Sequence, residues 1–183
     1  MSGRAQTPFG DEEQRGPRVV VGVDGSPGSR AALLFALQDA ARRGVPVEAV
    51  IAYRPPDYWV DVYAAGTCHP EQTRAAELER LRTFVAEVLP EGPQPPPEVW
   101  TRAAMGTAAD VLILESDGAD LLVVGSGGHG ALTGMLLGSV GHQCARHAPC
   151  PVTVVPSLEA HRERVRLRRV HQSARARFRA AVR

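Results

Sequence analysis

Five short apolar runs alternate with four amphipathic stretches between residues 18 and 156. The first run reads RVVVGVD at 18–24, and its β-branched side chains suit a strand that is buried on both faces. Because each crossover between parallel strands is right-handed and carries its helix, the pattern predicts an α/β fold. We expect a single doubly wound, five-stranded parallel sheet with helices on both faces. The remaining strands are predicted at 47–53, 98–104, 120–125 and 151–156.

The helix boundaries have their own sequence signals. Ser26 suits an N-cap, Pro27 suits the first helical position, and Gly44 is typical of a residue that ends a helix. Thr107 and Asp110 resemble a capping box, with Asp where Glu is usual. Helices are therefore predicted over 27–43, 71–89, 107–114 and 139–147.

The chain of 183 residues fits one domain with flanking tails. We expect a disordered arm over residues 1–17, a globular domain over 18–156, and a separate appendage over 157–183. This appendage has nine Arg against two Glu, a net charge of +7, whereas residues 1–156 have twelve Arg against eighteen acids, a net charge of −6. Apolar residues at spacings of three and four predict a basic amphipathic helix in this Arg-rich tail.

Composition excludes several classes of protein. All 21 basic residues are Arg, so no lysine is present to form a Schiff base or to bind phosphate in a P-loop. The three cysteines are an odd number and do not form a disulfide framework. The polar N-terminus is unlike a signal peptide, and no apolar run approaches the ~18 residues that a membrane span needs. We therefore expect a cytoplasmic protein without a membrane span.

Most of the chemistry that can be inferred lies directly after the fourth strand, where the sequence reads GSGGHGALTGMLLGSV from Gly125. So many glycines are costly in conformational entropy, and the usual reason for them is close approach of backbone N–H groups to an anion. Gly138 and Ser139 fall at a predicted helix start, where unpaired N–H groups and the positive end of the helix dipole accommodate a phosphate. The sequence therefore predicts a phosphate-binding loop. A simple tight turn is the alternative interpretation.

A second line of reasoning, from the fold, leads to the same place. In doubly wound sheets, ligands bind at the carboxyl ends of the strands where the strand order reverses. In the order 3-2-1-4-5, this point lies between the first and fourth strands, which end near Asp24 and Gly125. Asp24 is thus a candidate ligand for a Mg²⁺ ion bound together with phosphates, or else a cap of the following helix.

The spacing Gly125-x-x-Gly128, nine residues, then Gly138-Ser139 resembles the G-2x-G-9x-G-(S/T) pattern of ATP-binding universal stress proteins. The sequences VVVGVDGS around Asp24 and HAPCPVTVVP at 147–156 are also similar to that family. The resemblance covers about residues 17–157. Two departures are Gly127, where family members often have a basic or bulky residue, and the Arg-rich tail.

The resemblance implies that ATP, or a related adenine nucleotide, binds with Mg²⁺ at the loop. It implies that the loop glycines and the Gly-Ser pair hold ribose and phosphates, that Asp24 lies by the nucleotide, and that the main chain near Tyr53 lines the adenine pocket. It also implies a homodimer formed through the last strand, near Val152 to Val155. The predicted binding set is Asp24, Ser26, Tyr53, Gly125, Ser126, Gly128, His129, Gly130, Gly138, Ser139 and Val140.

Other polar residues allow weaker interpretations. His129 lies inside the loop and is either a phosphate donor, an acid or base in slow phosphoryl chemistry, or a solvent-facing histidine. A zinc site formed by His142, Cys144, His147 and Cys150 is disfavoured, since His142 and Cys144 point about 200° apart on a helix with 3.6 residues per turn. We expect Cys144 to be a core residue.

Three classes of function follow from these observations. The first, which we predict, is a nucleotide-binding regulatory protein of the stress response that acts as a homodimer. The second is an enzyme, at most a slow ATPase or an autophosphorylating protein, since no nucleophile, base and orienting group stand together. The third is an interaction module whose Arg-rich tail binds nucleic acid or an acidic partner.

Overall fold

The structure is a computed structural model, and it describes residues 16–54, 70–127 and 138–156. Residues 1–15 of the predicted arm, the appendage and the middle of the glycine-rich segment lie outside these residues. The strands are β1 (Val19–Gly22), β2 (Val47–Tyr53), β3 (Val99–Met105), β4 (Leu121–Gly125) and β5 (Val152–Val155). The helices are α1 (Pro27–Arg43), α2 (Pro70–Val88), α3 (Ala108–Glu115) and α4 (Ser139–His147), with a short 3-10 turn at Leu89–Glu91.

All five strands form one parallel sheet in the order β3-β2-β1-β4-β5. The predicted fold class and strand order are therefore confirmed, and the predicted strand boundaries differ from the observed ones by no more than two residues. The neighbouring central strands β1 and β4 are in register from Val19 opposite Leu121 to Val21 opposite Val123. Their carboxyl ends thus lie side by side at the point where the strand order reverses.

The sheet separates two apolar layers because successive side chains of a strand point to opposite faces. In β1, Val19 and Val21 pack with α1 and α2, whereas Val20 packs with α3 and α4. The same alternation holds in β4, where Val123 faces the first layer and Val124 the second. Both faces are covered, which explains why the strands read as continuous apolar runs.

Local side-chain chemistry sets the helix ends. The Ser26 side chain accepts a hydrogen bond from the Ser29 N–H, and Gly44 ends α1 in the left-handed conformation with φ 71°. Both predictions are confirmed. At α3, the Thr107 hydroxyl accepts from the Asp110 N–H at 3.2 Å and donates to the Asp110 carboxylate at 2.6 Å. In a capping box the acidic side chain accepts from the N-cap N–H. The Asp110 carboxylate instead accepts from the Thr107 hydroxyl, because Asp is one methylene shorter than Glu.

A buried ion cluster lies at the amino-terminal end of the sheet. Arg18 and Glu48 are 2% and 3% exposed, and Arg18 Nε donates to Glu48 Oε2 at 2.7 Å. Arg102 bridges Glu48 and Glu115, with Nε 3.3 Å from Glu48 and Nη1 3.2 Å from Glu115. Arg18 also donates to the Glu115 and Asp117 carbonyls at the end of α3. The cluster therefore ties β1, β2, β3 and α3 together.

Within the described ranges, no helix is long and apolar enough to cross a membrane.

Candidate functional site

A cleft opens at the carboxyl ends of β1 and β4, on the face of the sheet that carries α3. Its volume is about 550 Å³, including the part open to solvent. Strand ends, the first turn of α1, and residues of α3 and α4 all contribute to its walls. The described lining residues are Gly22, Val23, Asp24, Ser26, Ser29, Val50, Ala52, Ala108, Leu112, Val124, Gly125, Gly127 and Val140.

Glycine backbones pack directly on one another in one wall of this cleft. A Cβ at Gly28 would lie 2.2 Å from the Gly127 carbonyl oxygen, and a Cβ at Gly125 would lie 2.7 Å from the Gly28 carbonyl. No side chain fits either position without a backbone shift. The glycines therefore hold the start of the loop against the first turn of α1, and this contact brings the loop to the end of β1.

Asp24 and Ser26 organise the turn between β1 and α1. Asp24 Oδ1 accepts a hydrogen bond from the Ser26 N–H at 2.9 Å, and Ser29 Oγ donates to the Ser26 carbonyl at 2.9 Å. Both Asp24 and Ser26 line the cleft. The carboxylate thus takes part in the turn before α1, whose N-cap is Ser26 rather than Asp24, and it also presents negative charge at the cleft.

Ser126 connects the loop to two neighbouring elements. Its N–H donates to the Val155 carbonyl at 2.8 Å, and its carbonyl accepts from the Gly138 N–H at 3.1 Å. The Ser126 hydroxyl is buried, with the residue 5% exposed, and it has no hydrogen-bond partner within the described part of the chain. A buried hydroxyl without a partner is costly. Ser126 is hydrogen-bonded through its carbonyl to Gly138, the N-cap of α4.

The amino terminus of α4 lies beside the cleft. Its N-cap is Gly138, which supplies no side-chain hydrogen bond, so the N–H groups of the first turn have no side-chain cap. Ser139 is exposed, while Val140 lines the cleft. At the Gly138 position a Cβ would be 3.4 Å from the Ser126 carbonyl, an ordinary contact distance. Among the described residues, no side chain caps the first-turn N–H groups of α4, and Val140 places this turn at the cleft.

The structure brings most of the predicted residues together. Asp24, Ser26, Gly125 and Val140 line the cleft, while Ser126, Gly138 and Ser139 adjoin it. Gly128, His129 and Gly130 lie outside the described residues.

Tyr53 is placed differently from the other predicted residues. Its side chain packs with the α1 and α2 layer, on the opposite face of the sheet, and its carbonyl accepts from the Gly106 N–H at 2.9 Å. The neighbouring Ala52 lines the cleft instead. Alternation along β2 explains this, because adjacent residues of a strand face opposite sides.

Sequence reasoning missed the contribution of α1 and α3. Gly28 supplies the close backbone contact. The sequence could have indicated this, because a glycine in the first turn of a helix has a conformational cost and therefore suggests a structural reason. Ala108 and Leu112 form an apolar wall, and a Cβ at Gly22 would lie 2.7 Å from Leu112 Cδ1. Nothing in the local sequence of α3 indicates that it borders a cleft.

The four residues of the zinc alternative do not line this cleft; they are His142, Cys144, His147 and Cys150. His142 is exposed, whereas Cys144 is fully buried in the α3 and α4 layer, as a core residue is. Burial raises the pKa of the Cys144 thiol to about 11, and desolvation also raises the pKa of Cys150. Both groups are thus thiols near neutral pH. The described residues include no group of three or more His, Cys, Asp or Glu side chains placed to hold a metal ion.

The sheet order and the glycine-walled cleft at its switch point define a doubly wound α/β ligand-binding fold. The model of the universal stress protein family matches residues 17–156, and the chain belongs to this family.

The chain is similar to longer proteins from mycobacteria. It is 38% identical over 139 residues to a universal stress protein of Mycolicibacterium smegmatis, which is 75% of this chain and 45% of that protein. It is 33% identical over 141 residues to universal stress protein Rv2623 of Mycobacterium tuberculosis, covering 75% and 46% respectively. The chain thus spans about half the length of these relatives.

Solved structures agree with the fold. A universal stress protein in complex with cAMP superposes with a TM-score of 0.54 at 30% identity, covering 78% of this chain and 97% of that one. The universal stress protein UspA from Lactobacillus plantarum superposes with a TM-score of 0.52, covering 77% and 98% respectively. At 21% identity the latter supports the fold alone.

Proposed function

We propose that this protein binds an adenine nucleotide in the cleft, with the phosphates at the start of α4. The observation that carries the proposal is the amino terminus of α4, which has no side-chain cap among the described residues and adjoins a glycine-walled cleft and the buried Ser126 hydroxyl, itself without a partner in that part of the chain. Helix N-termini of this kind favour anions, because unpaired N–H groups and the dipole act together. A phosphate at this place would satisfy donors that have no partner among the described residues.

The remaining parts of a nucleotide match the remaining parts of the cleft. The apolar residues Val50, Ala52 and Leu112 form a surface suited to a purine base. Asp24 also lines the cleft, and a ribose hydroxyl there can donate to its carboxylate. A universal stress protein that is 30% identical to this chain is known in complex with cAMP, which supports an adenine nucleotide as the ligand.

ATP is the nucleotide that we propose from the loop motif, with Mg²⁺ bound to its phosphates. The donor set suits Mg²⁺, since Asp24 supplies one carboxylate and magnesium commonly takes one or two carboxylates plus phosphate oxygens. The ion would neutralise part of the phosphate charge. Gly128, His129 and Gly130 of the loop belong to the proposed binding set on the strength of the motif alone.

The calorimetric test is ATP binding with Mg²⁺ present, on protein first freed of any copurified nucleotide. Gly138→Asp is expected to abolish binding, because it places a carboxylate at the phosphate position. Gly138→Asn is the matched control, of the same size but without the charge. Both variants should fold, since Asp and Asn are favoured N-cap residues and a Cβ has room there. Normal ATP binding by Gly138→Asp would refute the site assignment.

We propose that the protein acts as a regulatory homodimer in the cytoplasm rather than as an efficient enzyme. The Arg-rich tail supports one further candidate function, the binding of nucleic acid or an acidic partner, because a +7 segment adjoins a −6 body. Binding through the tail would weaken steeply with added salt. Nucleotide binding in the cleft would survive removal of residues 157–183, which separates the two functions.

A further inference from the structure

The turn between β1 and α1 is a wall shared by two cavities. Asp24 and Ser26 line the cleft, whereas Gly25 lines a second groove on the opposite face of the sheet, against α2. Val23, which directly follows β1, lines both. A contact made in the second groove can therefore act on residues that line the cleft.

Arg80 of α2 contacts this turn from the second groove. Its Nη2 donates to the Asp24 carbonyl at 3.2 Å, and a Cβ at Gly25 would lie 3.9 Å from the same nitrogen. Its Nη1 lies 3.3 Å from Glu77 Oε2, on the preceding turn of the helix. The guanidinium thus links α2 to the main chain of the turn.

The carbonyl that accepts from Arg80 belongs to the peptide between Asp24 and Gly25. Gly25 has a φ of 83°, and because a glycine has wide conformational freedom, its own backbone restricts the turn little. On the cleft side, Asp24 Oδ1 accepts from the Ser26 N–H at 2.9 Å. The bond from Arg80 holds the same aspartate from the opposite side.

We propose that Arg80 is a positioning residue for the nucleotide. It fixes the peptide between Asp24 and Gly25, and thereby keeps the Asp24 carboxylate where a ribose hydroxyl donates to it. The effect on affinity rests on the proposed function, whereas the effect on the turn belongs to the protein without ligand. Holding a binding group in its bound geometry lowers the ordering cost of binding. Affinity should therefore depend on Arg80, which is not among the described residues that line the cleft.

The test compares Arg80→Met with Arg82→Met. Methionine keeps most of the aliphatic stem of arginine and removes the charge and the donors. Arg82 is the matched control, since it lies on the same helix, pairs with Glu79 at the same i,i+3 spacing, and is 58% exposed where Arg80 is 57% exposed. Within the described ranges it does not bond to the turn. Both variants should melt near the unmodified protein, because exposed ion pairs contribute little.

Amide hydrogen exchange measures the turn in the protein without nucleotide. The Ser26 amide is the probe, because it bonds to the Asp24 carboxylate and is released when the turn opens. Its exchange rate should rise about threefold or more in Arg80→Met, since one hydrogen bond changes an equilibrium constant by a few-fold. The rate in Arg82→Met should be unchanged.

The second readout compares ATP with 2′,3′-dideoxy-ATP, both with Mg²⁺, because the two nucleotides differ in the hydroxyls that Asp24 would accept from. The unmodified protein should bind ATP more tightly. In Arg80→Met, ATP should bind about fivefold more weakly and the ratio of the two dissociation constants should narrow. A general loosening of the cleft would weaken both nucleotides equally and leave the ratio unchanged. Arg82→Met should match the unmodified protein.

The outcomes separate this proposal from the proposed function. If the Ser26 amide exchanges no faster in Arg80→Met, Arg80 does not hold the turn and the proposal is wrong, whether or not a nucleotide binds. If nucleotides bind but the unmodified protein does not distinguish them, or Arg80→Met leaves their ratio unchanged, the cleft stands and the positioning role is refuted. If exchange rises but no nucleotide binds the unmodified protein, the proposed function itself is wrong. Faster exchange with a narrowed ratio, in Arg80→Met alone, would support the proposal in full.

Discussion

Gly28 determines how closely the loop can approach the first turn of α1. The Gly127 carbonyl oxygen occupies the space that a Cβ at Gly28 would need. The loop and the helix are therefore held together by contact between backbones rather than between side chains. The role of such a glycine is found from the atoms that a Cβ at its position would contact.

Gly28→Ala is expected to destabilise the protein by roughly 2 kcal/mol or more, since a 2.2 Å contact with backbone forces the loop away from α1. Nucleotide affinity should fall with it, because the cleft loses one wall. Chemical denaturation measures the first effect and calorimetry the second. Gly16→Ala is the control, as a Cβ there meets nothing within 4 Å. Equal stability of the two variants would contradict the role of Gly28.

Tyr53 and Ala52 show what the sequence leaves open at single residues. Strand β2 is apolar on both faces, apart from Glu48, so its sequence does not reveal which parity of residues faces the cleft. The end of the strand was predictable, but the side chain that lines the site was not. The positions of Gly125, Gly138 and Ser139 were predictable, because they are set by a strand end and a helix start.

The helices were predicted well because their ends have local chemical signals. Ser26 and Gly44 fix the limits of α1 through hydrogen bonds and backbone conformation that belong to those residue types. The contribution of α3 to the cleft was not predictable in this way. It depends on which face of the sheet the helix covers, and this is decided by packing across the whole domain.

In α3, Thr107→Ala should lower the free energy of unfolding by about 1 kcal/mol, because the Thr107 hydroxyl caps this helix by accepting from the Asp110 N–H. For a domain of this size the melting temperature should fall by roughly 2–4 °C. Ala108 follows the cap and lines the cleft, so nucleotide affinity should also weaken slightly.

Thr83→Ala is the matched control for this change. The Thr83 hydroxyl donates to the Glu79 carbonyl inside α2 and caps nothing, and Ala is the better helix former. Its melting temperature should be unchanged or higher. A loss of stability at Thr83 equal to that at Thr107 would show that capping is not the cause.

Across the whole molecule, the buried ion cluster and the cleft lie toward opposite ends of the sheet. The cleft is at the carboxyl ends of the strands, while the cluster of Arg18, Glu48, Arg102 and Glu115 is at the amino end. Sequence analysis did not identify this cluster. Its signal was Glu48, a single acid inside an apolar run, but its partners are distant in sequence and only the folded sheet brings them together.

Glu48→Gln should destabilise the protein by roughly 3 kcal/mol, since it leaves the buried Arg18 guanidinium without its carboxylate. Glu79→Gln should change the free energy of unfolding by less than about 0.5 kcal/mol, because Glu79 is 72% exposed and its pair with Arg82 is screened by solvent. Urea denaturation measures both. Nucleotide affinity of Glu48→Gln below its unfolding midpoint should stay near that of the unmodified protein, as none of the four residues of the cluster lines the cleft.

The proposed homodimer can be tested on the edge strand β5. Hydrogen bonds from Leu122 N–H to the Pro151 carbonyl and from Ser126 N–H to the Val155 carbonyl show that alternate residues of β5 face β4. By the same alternation, the Val154 N–H points away from the sheet, where a second copy would pair. Val154→Pro removes this donor and should leave the bonds to β4 intact.

In sedimentation experiments the unmodified chain should therefore be a dimer and Val154→Pro a monomer with an unchanged circular dichroism spectrum. Val154→Ala is the control, because it shortens the side chain but keeps the N–H group, and it should remain dimeric. If Val154→Pro is folded and still dimeric, pairing through β5 is wrong and another surface forms the dimer. A monomeric unmodified chain would refute the dimer itself, while leaving the proposed nucleotide site, whose described lining residues all belong to one chain, unaffected.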